Sequence, residues 1–402
     1  MDTLGVYISV PFCRSKCSYC NFASGVFPAA YHERYVGRLE HHIRNARPQT
    51  TALGAVVPTH VDSVYIGGGT PSVLAPNLLQ QLLATLRREF SVANDAEITL
   101  ECAPGQLSDE FLAAMLDCGI NRVSFGVQSF IDREAAVTGR LHNRQIALRD
   151  IERVRAAGIQ STGVDLIAGL PHQTAASWQE SLSTLVTSGV NHASVYMLEV
   201  DEDSRLGREL TQGGGRYHAE AVPTDDQVAD SYLEAIEFLG QNGLSQYEIS
   251  NFARSGKESA HNKKYWSRRP YIGFGLDAHS MLRRIDDGAV RFSMSDDLQT
   301  FLDGAGFIDV QPVSRQQALE EACFLGLRLN EGVSLAALAA EFGDLELHSC
   351  QPVVAELTGL SLLESSAGRI RLTPRGRLLS NEVFGRFLRD RDVAEPELVA
   401  VD

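Results

Sequence analysis

Three cysteines lie close together near the start of the chain, Cys13, Cys17 and Cys20, in the spacing C-x3-C-x2-C. Three thiols within eight residues, just after the apolar residues Val6, Tyr7, Ile8 and Val10, suit a strand running into a short loop on which the sulfurs converge. Structural zinc takes four closed ligands, and neither His nor Cys follows at zinc-finger spacing. Iron–sulfur clusters are held by closely spaced thiolates, and a cubane with one unligated iron can take a small molecule there. The competing readings are a zinc site with a distant fourth ligand and three unrelated thiols. Gathering three of seven cysteines in one short stretch favours the cluster.

A weak rhythm in the sequence indicates what positions these thiols. Helical stretches end at Gly, an apolar residue follows, and a strand-like run begins, at Gly119-Ile120, Gly158-Ile159, Gly189-Val190 and Gly243-Leu244. Between these junctions Leu78, Leu82 and Leu86, then Phe111, Met115 and Leu116, recur at helical spacing, and Thr174 is placed to cap a helix through Trp178 and Leu182. The runs VYISV, SVYIGGG, EITLEC, RVSFGVQS, STGVDLIAGL and HASVYMLEV read as strands, so the pattern predicts a parallel sheet with helical crossovers. Six units suit an open or partial barrel. Polar or Gly-rich groups fall at one end of five successive runs: the cysteines, Gly67 to Pro71, Glu101, Gln128 and Asp165. That is the end where parallel barrels place their active sites.

With Tyr19 before the third cysteine, the motif resembles that of the radical S-adenosylmethionine (SAM) superfamily. The resemblance implies a [4Fe-4S] cluster on Cys13, Cys17 and Cys20, with the amino and carboxylate groups of SAM chelating the fourth iron. Reduction of that assembly can split SAM and release a deoxyadenosyl radical. YIGGGTP, ECAP, SFGVQSF, GRLH and DLIAGLP match, in order, the oxygen-independent coproporphyrinogen III oxidase family within that superfamily. That likeness implies an α/β fold, a partial six-unit TIM-like barrel with a C-terminal α+β winged-helix-like domain. It also implies that Gly68, Gly69 and Thr70 contact the amino-acid part of SAM. Glu101, Gln128, Arg140 and Asp165 would hold its carboxylate, its ribose or a second SAM-like ligand, with Tyr7 and Tyr19 lining the same pocket.

A second informative stretch is HNKKYWSRRPYIGFG, from His261 to Gly275. H-N-x-x-Y-W resembles the signature of the haem-chaperone (HemW) branch of this family, matched by His261, Asn262, Tyr265 and Trp266. A neutral imidazole can ligate haem iron, so the resemblance implies His261 as a haem ligand. Some of the cations Lys263, Lys264, Arg268 and Arg269 are expected to pair with haem propionates. A structural His beside aromatics and a solvated basic surface are the plainer alternatives.

The 402 residues carry 36 basic and 51 acidic side chains, a net charge of −15, with 44% apolar and 22% charged residues. This is an ordinary globular composition, and its acidity argues against general attraction to nucleic acid or anionic membranes. No run of about 18 apolar residues appears, and the first dozen residues lack a secretory signal's basic region. An odd number of cysteines points to a reducing, cytoplasmic setting. The expected domains are a radical SAM core over 1–200, a lid or loop insertion with the end of the core over 201–296, and a helical, winged-helix-like domain over 297–402. In the last, helices precede the hairpin-like LSLLESSAGRIRLTPRG, and its acidic residues disfavour DNA binding.

Two functions stand side by side at this point. One is a haem chaperone that binds haem, the cluster and SAM, passes haem to an acceptor haemoprotein, and admits a homodimer. The other is a radical SAM enzyme that oxidatively decarboxylates coproporphyrinogen III or acts on another tetrapyrrole. The oxidases of this family carry a further Cys two residues after the third cluster Cys, where this chain has Phe22. They also have a longer N-terminal extension. These departures and the H-N-K-K-Y-W stretch favour the chaperone; whether SAM is cleaved stays open.

Overall fold

Helix ends set the spacing of the architecture. The computed structural model describes residues 2–388. In it the four Gly-apolar junctions end helices with positive φ, as at Gly119 (74°) and Gly243 (79°), a conformation that a Cβ resists. The next amide reaches back to close the helix end, Ile120 N to Met115 O at 3.0 Å and Leu244 N to Leu239 O at 2.9 Å. The apolar residue after each glycine (Ile120, Ile159, Val190 and Leu244) then enters the core.

Strands β1 (Leu4–Val10), β2 (His60–Gly68), β3 (Ser91–Cys102), β4 (Arg122–Gln128), β5 (Ser161–Ala168) and β6 (His192–Met197) pair in parallel in that order. Between them run helices α1 (Ala30–Thr51), α2 (Pro76–Glu89), α3 (Asp109–Asp117), α4 (Arg144–Ala156) and α5 (Ala175–Thr187). In α2 the buried stripe Leu78, Leu79, Leu82, Leu83 and Leu86 follows the helical period. Each such leucine contributes roughly 2 kcal/mol on burial. Thr174 caps α5 as expected, its hydroxyl accepting from Ser177 N at 3.2 Å while Ser177 Oγ accepts from Thr174 N at 2.9 Å.

Beyond β6 come α6 (Arg205–Gln212), α7 (Asp225–Gln241), β7 (Asn251–Ala253), α8 (Ala260–Trp266), β8 (Tyr271–Phe274), β9 (His279–Arg284), β10 (Ala289–Ser293) and β11 (Ile308–Val313). Strand β7 is antiparallel to β6, whereas β8 lies parallel to β1 on its other side, and β9 to β11 continue antiparallel from there. The two ends of this strand order do not pair with each other among the described residues. The six-unit open order read from the sequence is therefore present, extended at both edges.

Three features were not legible in the sequence. Within the stretch expected to begin as a lid or loop insertion at residue 201, α6 forms behind Ser204, whose hydroxyl accepts from Gly207 N at 2.9 Å. Its eight residues are too few to show a period among so many polar side chains. Strand β8 lies within YIGF, four residues hidden at the end of the HNKKYW stretch. The stretch from Asp297 to Val313 includes β11, which pairs with β10. The chain consequently divides into two compact units after Val313.

The second unit, taken by itself, has helices Arg315–Gly326, Leu335–Phe342 and Gln351–Gly359 before the hairpin Leu363–Ser366 and Arg369–Leu372. Val333–Ser334 adds a third strand against Arg369–Leu372. This is the helix-and-wing arrangement expected from the sequence. No helix among the described residues is long and apolar enough to cross a membrane.

Candidate cluster and cofactor site

The cysteine loop leaves β1 at its C-terminal end and is clamped on both sides. Cys13 N donates to Gly25 O at 2.8 Å and Gly25 N to Pro11 O at 2.9 Å, closing the loop on itself. Ser18 N donates to Thr138 O at 3.0 Å, and Leu206 N of α6 donates to Ser18 O at 2.9 Å. Cys13, Cys17 and Cys20 are all free thiols, with Cys17 buried and the other two part-exposed. Thr70 Oγ1 donates to Cys13 Sγ at 3.7 Å and Arg140 Nη1 to Cys17 Sγ at 3.6 Å, while Cys20 Sγ lies 3.8 Å from Ser24 Oγ. Burial raises the pKa of the Cys13 thiol. Gly69 is there because nothing larger fits: a Cβ would lie 2.9 Å from Cys13 Sγ and 2.8 Å from Phe12 O.

No three His, Cys, Asp or Glu side chains among the described residues close around a single metal ion. Ligands of one zinc sit about 2.3 Å from it, whereas a four-iron cubane holds its thiolates further apart. Three free thiols on one loop, with Thr70 and Arg140 donating to two of the sulfurs, are a donor set that fits an iron–sulfur cluster, which Cys13, Cys17 and Cys20 could hold.

Beside the cysteine loop, the interior of the parallel sheet is half-exposed and polar. Tyr7, Tyr65, Glu101, Gln128, Arg140 and Asp165 are all part-exposed there, amid buried strand neighbours. Tyr65 OH donates to Glu101 Oε1 at 2.8 Å and Gly68 N to Glu101 Oε2 at 3.2 Å. Enclosure, with Asp165 nearby, pushes Glu101 up to about 7 against the opposing Tyr65 hydrogen bond. Asp165 is also raised, chiefly by enclosure, although Ser194 and Ser124 stabilise its charge; Ser124 Oγ donates to Asp165 Oδ1 at 3.0 Å. Arg140 donates to Gly126 O as well as to Cys17.

Several polar groups here are left without a protein partner. Gln128 Oε1 and Arg140 Nε are buried and unpaired, an arrangement that costs free energy unless a ligand completes it. Gln128 also adopts φ 68°, a conformation non-glycine residues hold at a cost and often at binding sites. A carboxylate and a ribose are what these groups could pair with: guanidinium for the first, carboxylate and amide for the second. Tyr7 sits one layer below, its ring 6.2 Å from that of Tyr65. Tyr19 lies where Arg140 and Cys17 both act on its phenol.

His261 is at the other end. Strand register places Gly5, Ser63 and Glu97 in one layer, Tyr7, Tyr65 and Thr99 in the next, and Val10 with Gly68 at the C-terminal end. His261 packs into the first layer. Its Nδ1 lies 3.0 Å from Ser63 Oγ and its Nε2 2.8 Å from Tyr265 OH. The ring is 1% exposed, and burial with Lys264 pushes its pKa down to about 3, so it is neutral. The five residue steps from Ser63 to Gly68 span roughly 16 Å of strand. The structure thus separates His261 from the cysteines, and both ring nitrogens are already engaged.

The cations of this stretch are engaged too. Lys264 Nζ lies 2.8 Å from Asp62 Oδ1 and donates to Thr3 Oγ1 at 2.9 Å. Arg269 pairs with Asp2 at 2.7 Å, and Lys263 lies over the Tyr247 ring at 5.9 Å. The Glu97 carboxylate caps α8, accepting from Ala260 N and His261 N, each at 3.0 Å. Gly5 makes room for the packing, since a Cβ there would meet Lys264 Cδ at 2.8 Å. His261 and Lys264 are therefore buried and paired within the protein, while Lys263 and Arg269 lie exposed, one over a tyrosine ring and the other against Asp2.

Sequence reasoning missed Tyr65, Ser124 and Ser194, which hold Glu101 and Asp165. The available signal was alternation: Ser63, Tyr65 and Gly67 share one strand face with period two. It also missed α6, which clamps the cysteine loop.

Comparison with known proteins agrees with this geometry. Residues 7–185 match the radical SAM superfamily and residues 313–379 the HemN C-terminal domain. The haem chaperone HemW of Bacillus subtilis is 34% identical over 95% of this chain and 98% of that protein. HemW of Mycobacterium tuberculosis is 32% identical over 96% of this chain and 94% of that one. Among solved structures, coproporphyrinogen III oxidase HemN from Escherichia coli shares the fold, with TM-score 0.81, 23% identity, and coverage of 96% of this chain and 90% of that one.

Proposed function

The chain belongs to the HemW family of radical SAM proteins, and on that premise we propose that it is a haem chaperone. It binds haem, carries a [4Fe-4S] cluster and SAM, and passes haem to an acceptor haemoprotein. The observation that carries this reading is the end-to-end match to relatives named as haem chaperones, 34% identical over 98% of the Bacillus subtilis protein. The exposed side chain of Phe22, at the position of the oxidases' additional cysteine, speaks against coproporphyrinogen decarboxylation.

Cys13, Cys17 and Cys20 would hold the cluster. When bound, cluster and SAM supply either a redox-dependent small-molecule site or the source of a radical. The chain's own residues do the positioning. Gly69 lets the backbone come close to Cys13, and Thr70 and Arg140 place donors on two of the sulfurs. Arg140 would pair with the SAM carboxylate and Glu101 and Gln128 would take the ribose hydroxyls, with Asp165, which accepts from Ser124 Oγ, completing the pocket. His261 serves as a structural plug at the opposite end, a role supported by its two hydrogen bonds and its burial. The net charge of −15 and seven free thiols support a cytoplasmic setting without nucleic-acid partners.

The test is anaerobic transfer. Cluster-loaded chain charged with haem is mixed with an apo-haemoprotein, and acquisition of the acceptor's spectrum is followed over time. The reading expects transfer faster than from free haem at equal concentration. Haem that never binds the chain, together with decarboxylated product from coproporphyrinogen III, SAM and reductant, would contradict it.

A further inference from the structure

A cavity of about 470 Å³ lies beside the cysteine loop, lined by Lys16, Ser18, Thr138, Arg205, Arg216 and His218 among others. We propose that this cavity receives the propionate carboxylates of haem, an assignment that rests on the haem-chaperone reading above. No Asp or Glu lines it, although acidic residues outnumber basic ones by 51 to 36 in the chain. Three cations therefore converge in a protein whose overall field repels anions.

The cavity wall is built by specific contacts. Arg205 Nη1 donates to Lys16 O at 3.2 Å, and Leu206 N donates to Ser18 O at 2.9 Å, fixing α6 against the cysteine loop. The Glu209 carboxylate then gathers the next turn, accepting from Arg216 N at 2.8 Å, Tyr217 N at 2.9 Å and Ala219 N at 3.1 Å. This holds Arg216 at the cavity, with its guanidinium 5.5 Å from the Tyr217 ring. Neither Arg205 nor Arg216 has a carboxylate partner among the described residues; Arg205 has its one backbone carbonyl and Arg216 its ring contact. Ser18 is 3% exposed and its hydroxyl has no partner, a buried group left for a ligand to satisfy.

The loop that supplies the cavity's lysine also exposes apolar side chains. Lys16 Nζ donates to Phe22 O at 3.2 Å and Ser24 O at 3.0 Å, which ties the loop arm bearing Phe22 and Val26 to the cavity's lysine. Phe22 is 64% exposed and Val26 62%; Leu141, two residues after the lining residue Gly139, is 63% exposed. A cationic cavity on a loop that also exposes Phe22 and Val26 fits an apolar ligand with carboxylates on one edge, which describes haem. The same wall carries Ser18, between Cys17 and Cys20 in sequence, so the cavity places the cargo beside the cluster loop.

The test compares haem with haem dimethyl ester, whose propionates are uncharged, in anaerobic titrations of the cluster-loaded full chain. The variant is Arg205→Gln/Arg216→Gln, both exposed positions, with iron content and melting temperature confirming a loaded, folded protein. Wild type is expected to bind haem roughly tenfold more tightly than the ester, the scale of two exposed ion pairs. The variant is expected to bind the two alike. A variant that keeps the wild-type preference, or a wild type without one, overturns the assignment while haem binding itself stands. Wild type that binds neither compound overturns the chaperone reading as well.

Discussion

The two ends of the parallel sheet carry equally suggestive sequences but opposite kinds of structure. At the C-terminal end, Gln128 Oε1, Arg140 Nε and the Ser18 hydroxyl lack partners, Gln128 takes a positive φ, and Glu101 is held near neutrality. At the N-terminal end, both ring nitrogens of His261 are engaged, Lys264 has Asp62 and Thr3, and Glu97 caps α8. Residue type alone proposed ligand chemistry at both. What separates His261 from Gln128 and Arg140 is whether their polar atoms are already paired: both ring nitrogens of the first have partners, while Gln128 Oε1 and Arg140 Nε have none.

The comparison breaks most sharply at the cysteine loop. Cys17→Ser, or Gly69→Ala with its added Cβ crowding Cys13, is expected to reduce bound iron and sulfide to background after reconstitution. Normal iron content in either variant would remove the loop from the site. Next in size is His261→Ala, which leaves Ser63 and Tyr265 without their buried partner. A loss of about 2–4 kcal/mol in denaturant unfolding is expected, with iron content per folded molecule unchanged.

A smaller effect distinguishes the two ends by pH. The folded pKa of Glu101 is raised, so the folded, ligand-free protein retains a proton that the unfolded chain has lost. Its contribution to stability therefore falls as pH rises from about 4.5 to about 7. If bound SAM, which is cationic at sulfur, draws Glu101 into its charged form, affinity rises with pH and levels off above about 7. Calorimetry should find SAM binding roughly tenfold weaker at pH 6 than at pH 8, a dependence that Glu101→Gln removes. His261 has the opposite sign. Its lowered pKa means that stability is lost as pH falls from about 6.5 toward about 3, as the unfolded chain takes up the proton first. The smallest change is expected for Arg269→Gln, which removes an exposed ion pair with Asp2. It should alter unfolding by less than about 1 kcal/mol and leave haem affinity unchanged in titration.

Much of the fold was legible because it rests on local chemistry. Gly119 and Gly243 announce helix ends through the backbone conformation they permit, and Thr174 announces a helix start through its hydroxyl. The order of six strands follows from these signals and from short apolar runs. The cysteine loop, Gly69, Glu101 and Asp165 were legible as well, since strand ends converge in a parallel sheet. The position of His261 was not, because it depends on α8 packing against Gly5 and Ser63, which are far from it in sequence. The cavity at Arg205 and Arg216 was hidden for a similar reason. It exists only once α6 docks on the cysteine loop and Glu209 folds the following turn, neither of which a pattern of residue types reveals.

The most direct measurement is an anaerobic haem titration of cluster-loaded chain, wild type beside His261→Gln, with the ferric haem spectrum recorded at saturation. The account predicts the same affinity within about twofold and the same spectrum, with only unfolding shifted to lower denaturant. A loss of affinity of tenfold or more, together with disappearance of an imidazole-ligated spectrum from a variant that still folds and holds its iron, would contradict it and return the ligand to His261.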